Sequence, residues 1–287
     1  MINLPQTSSI AARVTDQAFA EIPLLGGTRR LLTTTDYSGR SAISPRAWIT
    51  QSDDTLQKLQ DWCNCPLFNL GERFKDLRQA TAVLGAQPVA QLALLAGFRT
   101  LFLPNLRFES YAREQLWRRS IAVGAVASLI ARTCQRADPD SVFLAGSLID
   151  VGLLASEKSQ TDAFQYVVKS IQPDEDTLVT EQRLLGWDHA TLGAGLLERW
   201  GAPEKVCEIV RYHHSPLDSE FCGDREQLHC VCLADYLCSR CGWTSLGLHN
   251  VPQPSDAMFR TLGIDADCLM ILWQALYETL EQTRAMV

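Results

Sequence analysis

Asp150 stands inside the run Phe143-Leu-Ala-Gly-Ser-Leu-Ile-Asp150-Val-Gly-Leu-Leu154, an apolar helical stretch with no basic residue within seven positions. Burying an unpaired carboxylate costs many kcal/mol, so this acid must be protonated, paired with a distant cation or placed beside a metal. The chain supplies candidates for that partner. In Trp187-Asp188-His189, Asp188 is a good helix N-cap and His189 shares a face with Leu192, Gly193 and Leu196, so the imidazole points inward. Pro203 and Glu204 open the next helix, on which His213 falls with Val206, Ile209 and Val210, while His214 lies about 100° round, above Val210 and Cys207. A further helix through Leu228, Val231 and Leu237 carries Asp235 among apolar neighbours. Histidines and isolated carboxylates on the inward faces of separate helices form a donor set suited to a divalent cation with nitrogen and oxygen ligands. The same residues taken singly read as hydrogen-bonded core histidines and as capping or ion-paired acids, so the spacing points to a shared polar site without deciding for a metal.

Ten cysteines offer a second chemistry. Cys63-x-Cys65, Cys230-x-Cys232 and Cys238-x-x-Cys241, with His229 nearby, resemble zinc hooks. Because Cys230, Cys232 and Cys238 fall in what reads as one continuous helix, and nothing indicates export, they are expected to be buried free thiols.

The elements that must position these groups read as helices, with alternating strand patterns almost absent, so the expected fold class is all-α. Ser52 or Asp53 can cap a helix carrying Leu56, Leu59 and Trp62; another starts near Leu77, and Val89 to Phe102 forms an apolar helix ending before Pro104. A long helix is expected from about Ser110 to Arg136, closed by Ala137-Asp-Pro-Asp140, followed by a single helix holding Asp150. A polar stretch from Ser156 to Asp162 and the acidic Pro173-Asp-Glu-Asp176 bracket a shorter helix, and the next starts near Thr180. After a Gly/Pro/Ser-rich connection, Gly242 to Pro254, a closing helix covers about Asp267 to Arg284.

Formal net charge is -7, so no overall field favours nucleic acid or an anionic membrane. The longest apolar run, around Ile121 to Ala131, is about 11 residues against the roughly 18 needed to span a bilayer, and the N-terminus lacks the pattern of a secretory signal. A cytoplasmic protein with no membrane and no nucleic-acid partner is therefore expected.

The order of motifs is similar to one known family. Leu116-Trp-Arg-Arg119-Ser, then Ala145-Gly-Ser-Leu-Ile149-Asp150-Val-Gly152, then Glu181-x4-Gly186-Trp-Asp-His189-Ala-x-Leu-Gly193-x4-Glu198-Arg-Trp200-Gly-x-Pro203, then Tyr212-His213-His214-x-Pro216, and last Ala234-Asp235, resemble the HDOD family of HD-related output domains over roughly residues 20–240. The resemblance implies an HD-domain-like helical bundle preceded by a smaller N-terminal helical lobe. It divides the chain into an N-terminal arm (1–20), a module (21–240, with a lobe at 21–108 and a core at 109–240) and a C-terminal helical extension (241–287). In HD phosphohydrolases it would imply histidines and aspartates gathered round one or two metals that activate water against a phosphoester. Asp150, His189, His213, His214 and Asp235 match that pattern. Arg119 stands where the first histidine would fall and Ile149 where the histidine of the paired motif would fall.

Isoleucine has no lone pair to donate and arginine stays protonated, so neither ligates a cation. The guanidinium fork suits carboxylates instead, and Arg119 is expected to reach Asp150 and Asp235 in place of the metal's charge. The leading expectation is a non-catalytic bacterial signalling module that acts on a signalling protein partner, with the site at Arg119, Asp150, His189, His213, His214 and Asp235 vestigial and no metal cofactor. Two alternatives stay open: a metal-dependent phosphohydrolase or cyclic-di-GMP phosphodiesterase on a reduced site, and a sensor that binds a nucleotide or phosphate ligand there without turnover. Self-association as a homo-oligomer is a further expectation for the extension.

Overall fold

The computed structural model describes residues 5–24, 26–34, 53–68, 71–172, 175–247 and 251–287. Helices α1 (Pro5–Glu21), α2 (Gly26–Thr34), α3 (Asp53–Cys63), α4 (Leu77–Leu84) and α5 (Ala86–Arg99) come first. Asp76 caps α4 by accepting from the Gln79 amide at 2.9 Å. The stretch expected as an N-terminal arm is a docked helix: α1 inserts Ala18 into the core and lies against the helix that follows Asp150 and the helix that starts at His189. Apolar Ala18 and Ile22 recur on one of its faces, and burying them holds it in place. Met1 to Leu4 and the proposed cap Ser52 lie outside the described residues. Trp62 of α3 stacks on Trp117 with ring centroids 5.8 Å apart, joining the lobe to the rest of the core.

A two-residue antiparallel ribbon, β1 (Arg107–Phe108) with β2 (Tyr111–Ala112), precedes α6 (Arg113–Cys134). It takes the residues expected to begin the long helix, because Ala112 is extended and the Arg113 amide bonds back to the Leu106 carbonyl at 3.0 Å. At this start Arg113 makes a two-pronged buried ion pair with Glu157, 2.6 and 2.9 Å. Helix α6 is the central element; α7 (Pro139–Leu148) lies along it, capped by Asp138 with Pro139 in the first turn. The single helix expected around Asp150 is in fact two. Asp150 has φ -93° and ψ 10°, outside helical geometry, and α8 (Val151–Ser159) begins directly after it. By composition Pro139–Ser159 is apolar enough to cross a membrane, although its uninterrupted apolar runs are short, but 89% of that window is buried inside the protein.

Then follow α9 (Thr161–Ser170), α10 (Thr177–Leu185), α11 (His189–Trp200), α12 (Glu204–Tyr212), α13 (Arg225–Arg240), α14 (Asp256–Leu262) and α15 (Ala266–Thr283). Helix α1 packs on α8 and α11; α13 and α15 pack on α6. The C-terminal segment therefore belongs to the core: Leu272, Leu276 and Leu280 are buried, and the Trp117 indole donates to the Met286 carbonyl at 3.1 Å. Helix α14, unforeseen in the Gly/Pro/Ser-rich connection, is capped by Ser255 and ended by Gly263 at φ 66°.

Two glycine contacts set the axes that matter. A Cβ on Gly146 of α7 would meet the Gly124 Cα of α6 at 3.1 Å, and one on Gly124 would run into Ser147 and the Phe143 carbonyl. At the second contact, a Cβ on Gly152 of α8 would overlap the His189 carbonyl, and one on Gly193 of α11 would meet the Gly152 amide at 3.0 Å. Side-chain-free contacts let the backbones touch, which brings α6, α8 and α11 to one point. Gly152→Ala is expected to lower unfolding free energy by about 1–3 kcal/mol or more through forced separation of α8 and α11. Gly26→Ala, where nothing lies within 4 Å, should stay within about 0.5 kcal/mol. Denaturant titration of the two variants checks the contrast.

Candidate functional site

Arg119 lies on the second turn of α6, Asp150 in the break between α7 and α8, and Asp235 midway along α13. His189 is the first residue of α11, where Asp188 caps the helix by accepting from the Thr191 amide at 2.7 Å and is itself held by Gln182 at 2.8 Å. His213 and His214 follow directly on the end of α12. Five distant stretches of sequence thus converge on one buried polar cluster.

The Arg119 guanidinium, only 4% exposed, is its centre. Its Nε donates to Asp150 Oδ2 at 2.7 Å and its Nη2 to Asp235 Oδ1. Its Nη1 donates to Ser239 Oγ at 3.0 Å and to the Trp243 carbonyl at 2.6 Å. The other oxygen of Asp150, Oδ1, faces His189 Nε2 at 3.8 Å. On its far side His189 contacts Glu181: ring Nδ1 lies 2.7 Å from Glu181 Oε2, which also accepts from the His189 backbone amide at 2.9 Å. His189 Nε2 is 3.2 Å from His214 Nε2, and His213 Nδ1 donates to the Val210 carbonyl at 2.6 Å. All six site residues named from sequence are therefore neighbours.

Glu181, Ser239 and Trp243 complete the cluster and were not among them. In the sequence Glu181 appears only within the family-like motif; the cue that marks it is a lone acid eight residues before an inward histidine, across the left-handed Gly186 that turns α10 into α11. Ser239 lies one helical turn beyond Asp235 on the same face of α13, and that i, i+4 spacing is its cue. Trp243 contributes a backbone carbonyl, for which no side-chain pattern exists.

Burial disfavours charge on every member, and the neighbours decide which ones carry it. For His189 the carboxylates of Glu181 and Asp150 outweigh burial and lift its pKa to about 9. Burial and the adjacent His189 push His213 down to about 4, and His214 falls well below the ordinary histidine value for the same reasons. Asp150, despite its burial, is drawn below the usual carboxylate range by Arg119 and His189. Asp235 is raised to about 6 because burial and the charge of Asp150 exceed the help from Arg119. At neutral pH the cluster holds two cations, Arg119 and His189, interleaved with Asp150, Asp235 and Glu181.

The donor set can be tested against the metal centre that the motif resemblance implies. Ring nitrogens of His189, His213 and His214 lie within 4.8 Å of one another, and among the described residues they form the only such gathering of metal-binding side chains. His213 Nε2 and His214 Nδ1 are buried without a hydrogen-bond partner. Three imidazoles fit at most one nitrogen-preferring ion, with the His189 proton as its competitor. A carboxylate-bridged pair of ions does not fit: both aspartates are engaged by a guanidinium, and Ile149 offers no lone pair. The cysteines form no comparable set; all ten are free thiols, and burial pushes Cys63 and Cys207 up to about 12.

A helical bundle that gathers histidines and aspartates from successive helices around one buried point has the architecture of HD-type domains. The family model described as HDOD domain matches residues 40–216, and the chain belongs to the HDOD family. A protein of Treponema pallidum (strain Nichols), described as uncharacterized, is 26% identical in an alignment of 226 residues that covers 73% of this chain. The chain spans 40% of the length of that curated relative. Among solved structures, an HDOD domain protein of unknown function from Geobacter sulfurreducens superposes with a TM-score of 0.77 at 19% identity, covering 98% of this chain and 99% of the other. A candidate signal transduction protein from Marinobacter aquaeolei VT8 gives 0.74 at 20% identity, with 100% and 66% covered. A candidate phosphohydrolase from Shewanella amazonensis SB2B gives 0.71 at 16% identity, with 96% and 98% covered. These likenesses establish the fold.

Arg119→Met strands two buried carboxylates and is expected to cost about 3–5 kcal/mol, with much of the loss recovered when Asp150→Asn and Asp235→Asn are added. Recovery measured by urea unfolding distinguishes charge pairing from packing. A second test concerns pH. The folded pKa of His189 exceeds its ordinary 6.5, so its contribution is whole below about pH 6.5 and is lost as pH rises through about 9. Stability curves between these values should slope downward in the native protein and flatten in Glu181→Gln; parallel curves would refute the assignment.

Proposed function

We propose that the chain is a non-catalytic signal-transduction module in which the HD scaffold persists as a structural core and the output is a contact with a signalling protein. The observation that carries this reading is the Arg119 guanidinium spanning Asp150 and Asp235. It occupies the two carboxylates that would have to hold a cation, and its own charge opposes a metal at that point. His189, protonated through Glu181, adds a second fixed positive charge. A cluster so paired orients helices, and each aspartate already gives one oxygen to the guanidinium. The reading places the protein in the cytoplasm of a bacterial cell.

Support for a contact-based output comes from α15. Its inner face is buried on α6, while Met270, Ile271, Trp273 and Tyr277 are each more than half exposed. Several large apolar side chains on one helix exceed what a surface with no partner usually carries. A homo-oligomer would cover the same face.

One observation favours a second reading, phosphohydrolysis on a single ion: the unpartnered ring nitrogens of His213 and His214 beside His189. The two readings separate on metal retention. Protein incubated with manganese, iron or zinc and then dialysed is expected to retain well under one ion per chain and to leave cyclic di-GMP and bis(4-nitrophenyl) phosphate intact. The pair Arg119→His with Ile149→His, which removes the guanidinium and restores both missing donors, should raise retention. Stoichiometric metal in the native protein, with turnover abolished by Asp150→Ala and His213→Ala, would establish the enzyme instead.

A further inference from the structure

On the outer side of Arg119, away from the histidines, lies a cleft of about 540 Å³. Its walls are the β1–β2 ribbon, the first turns of α6 and the segment 242–247. The ribbon and the segment meet closely: Gly247 takes φ 75°, and a Cβ there would touch Ser110, in the turn of the ribbon, at 3.2 Å. The volume falls within the range of small-molecule sites.

The charge of the lining runs against that of the protein. Four arginines, Arg107, Arg118, Arg119 and Arg284, face one acid, Glu109, on a chain whose net charge is -7. Arg119 is spent on Asp150 and Asp235, but the other three are not consumed in this way. Arg107 and Arg118 make no ion pair among the described residues, and Arg284 has only a solvent-exposed one with Glu281 at 2.9 Å. Such an exposed pair is weak and exchangeable. Arg118 is fixed by a different contact: its guanidinium lies 5.5 Å from the centroid of the half-exposed Trp243 ring. Stacking orients the fork while leaving its N–H groups unneutralised by any carboxylate. The cleft also borders the N-terminal turn of the 22-residue α6, whose dipole adds positive potential.

We propose that this cleft binds a small phosphorylated molecule bearing adjacent phosphates, with Arg107 and Arg118 as the phosphate clamp and Arg284 at the rim. Guanidinium forks match phosphate oxygens in pairs, and several forks lining one cleft favour a polyphosphate over a single anion. The adjacent indole offers a platform for a base if the ligand is a nucleotide; an inorganic polyphosphate would use the arginines alone. The site is separate from the Asp150–His189 cluster and stands whether or not that cluster turns anything over. It also shares an element with it, since the Trp243 carbonyl accepts from Arg119.

The experiment is calorimetric titration of the full chain with ATP, with pyrophosphate and with orthophosphate, at low salt and with EDTA present so that metal at the histidines plays no part. Saturable binding of pyrophosphate or ATP at one site is expected, with orthophosphate weaker. Arg118→Glu and Arg107→Glu should each weaken it about tenfold or more, since each reverses one charge in the clamp. Arg107 is exposed on the ribbon, so its variant reports binding even if Arg118→Glu disturbs Trp243. ATP binding more tightly than pyrophosphate, by an excess lost in Trp243→Ala, would identify a nucleotide; equal affinity would identify an inorganic polyphosphate. No saturable heat with either probe, or affinity unchanged in both charge-reversal variants, would overturn the proposal.

Discussion

Everything at the centre of this molecule depends on one guanidinium. Arg119 lies in the interior with two carboxylates, a hydroxyl and a backbone carbonyl around it, and each of those groups comes from a different turn of the structure. Charges so deeply buried are tolerated only when hydrogen bonds satisfy them. The cluster consequently restricts how α6, α8 and α13 can sit. A metal ion could supply the same positive charge, but it would prescribe a coordination sphere and leave a position for water. The guanidinium prescribes a planar fork and leaves none.

The network is possible because backbones come unusually close around it. Where α7 passes α6 the contact is Gly146 on Gly124, and where α8 passes α11 it is Gly152 on Gly193. Any side chain at these points would push the helix axes apart and lengthen hydrogen bonds that are now 2.6–3.0 Å. The break in the helix at Asp150 serves the same end. Its non-helical backbone interrupts the helix between α7 and α8, and its side chain, unused as a cap, is free for Arg119.

Electrostatics also spreads outward from the cluster in two directions. Inward, His189 lies between Asp150 and Glu181 and carries the second positive charge, which together with the larger effect of burial keeps His213 and His214 neutral. Outward, the Trp243 carbonyl ties Arg119 to the segment that walls the arginine-lined cleft. The C-terminal helix closes the other flank, where Met286 receives the Trp117 indole. The segment after residue 240 is thus part of the same packed unit as the cluster.

Much of this was legible in the chain alone. Helical periodicity placed His189, His213 and Asp235 on inward faces, Asp188 announced the start of α11, and the absence of a lone pair at Ile149 and of a neutral form at Arg119 spoke against two metal ligands. Those features are local: a repeat, a cap or a functional group's chemistry belongs to a few consecutive residues. The helix break at Asp150, the docking of α1, the entry of Glu181, Ser239 and Trp243 into the cluster, and the gathering of Arg107, Arg118 and Arg284 around one cleft were decided only by the tertiary structure. Each depends on distances between residues far apart in the chain, set by which helices can approach at glycine contacts, and burial raises the energy of every polar group that such packing leaves unmatched.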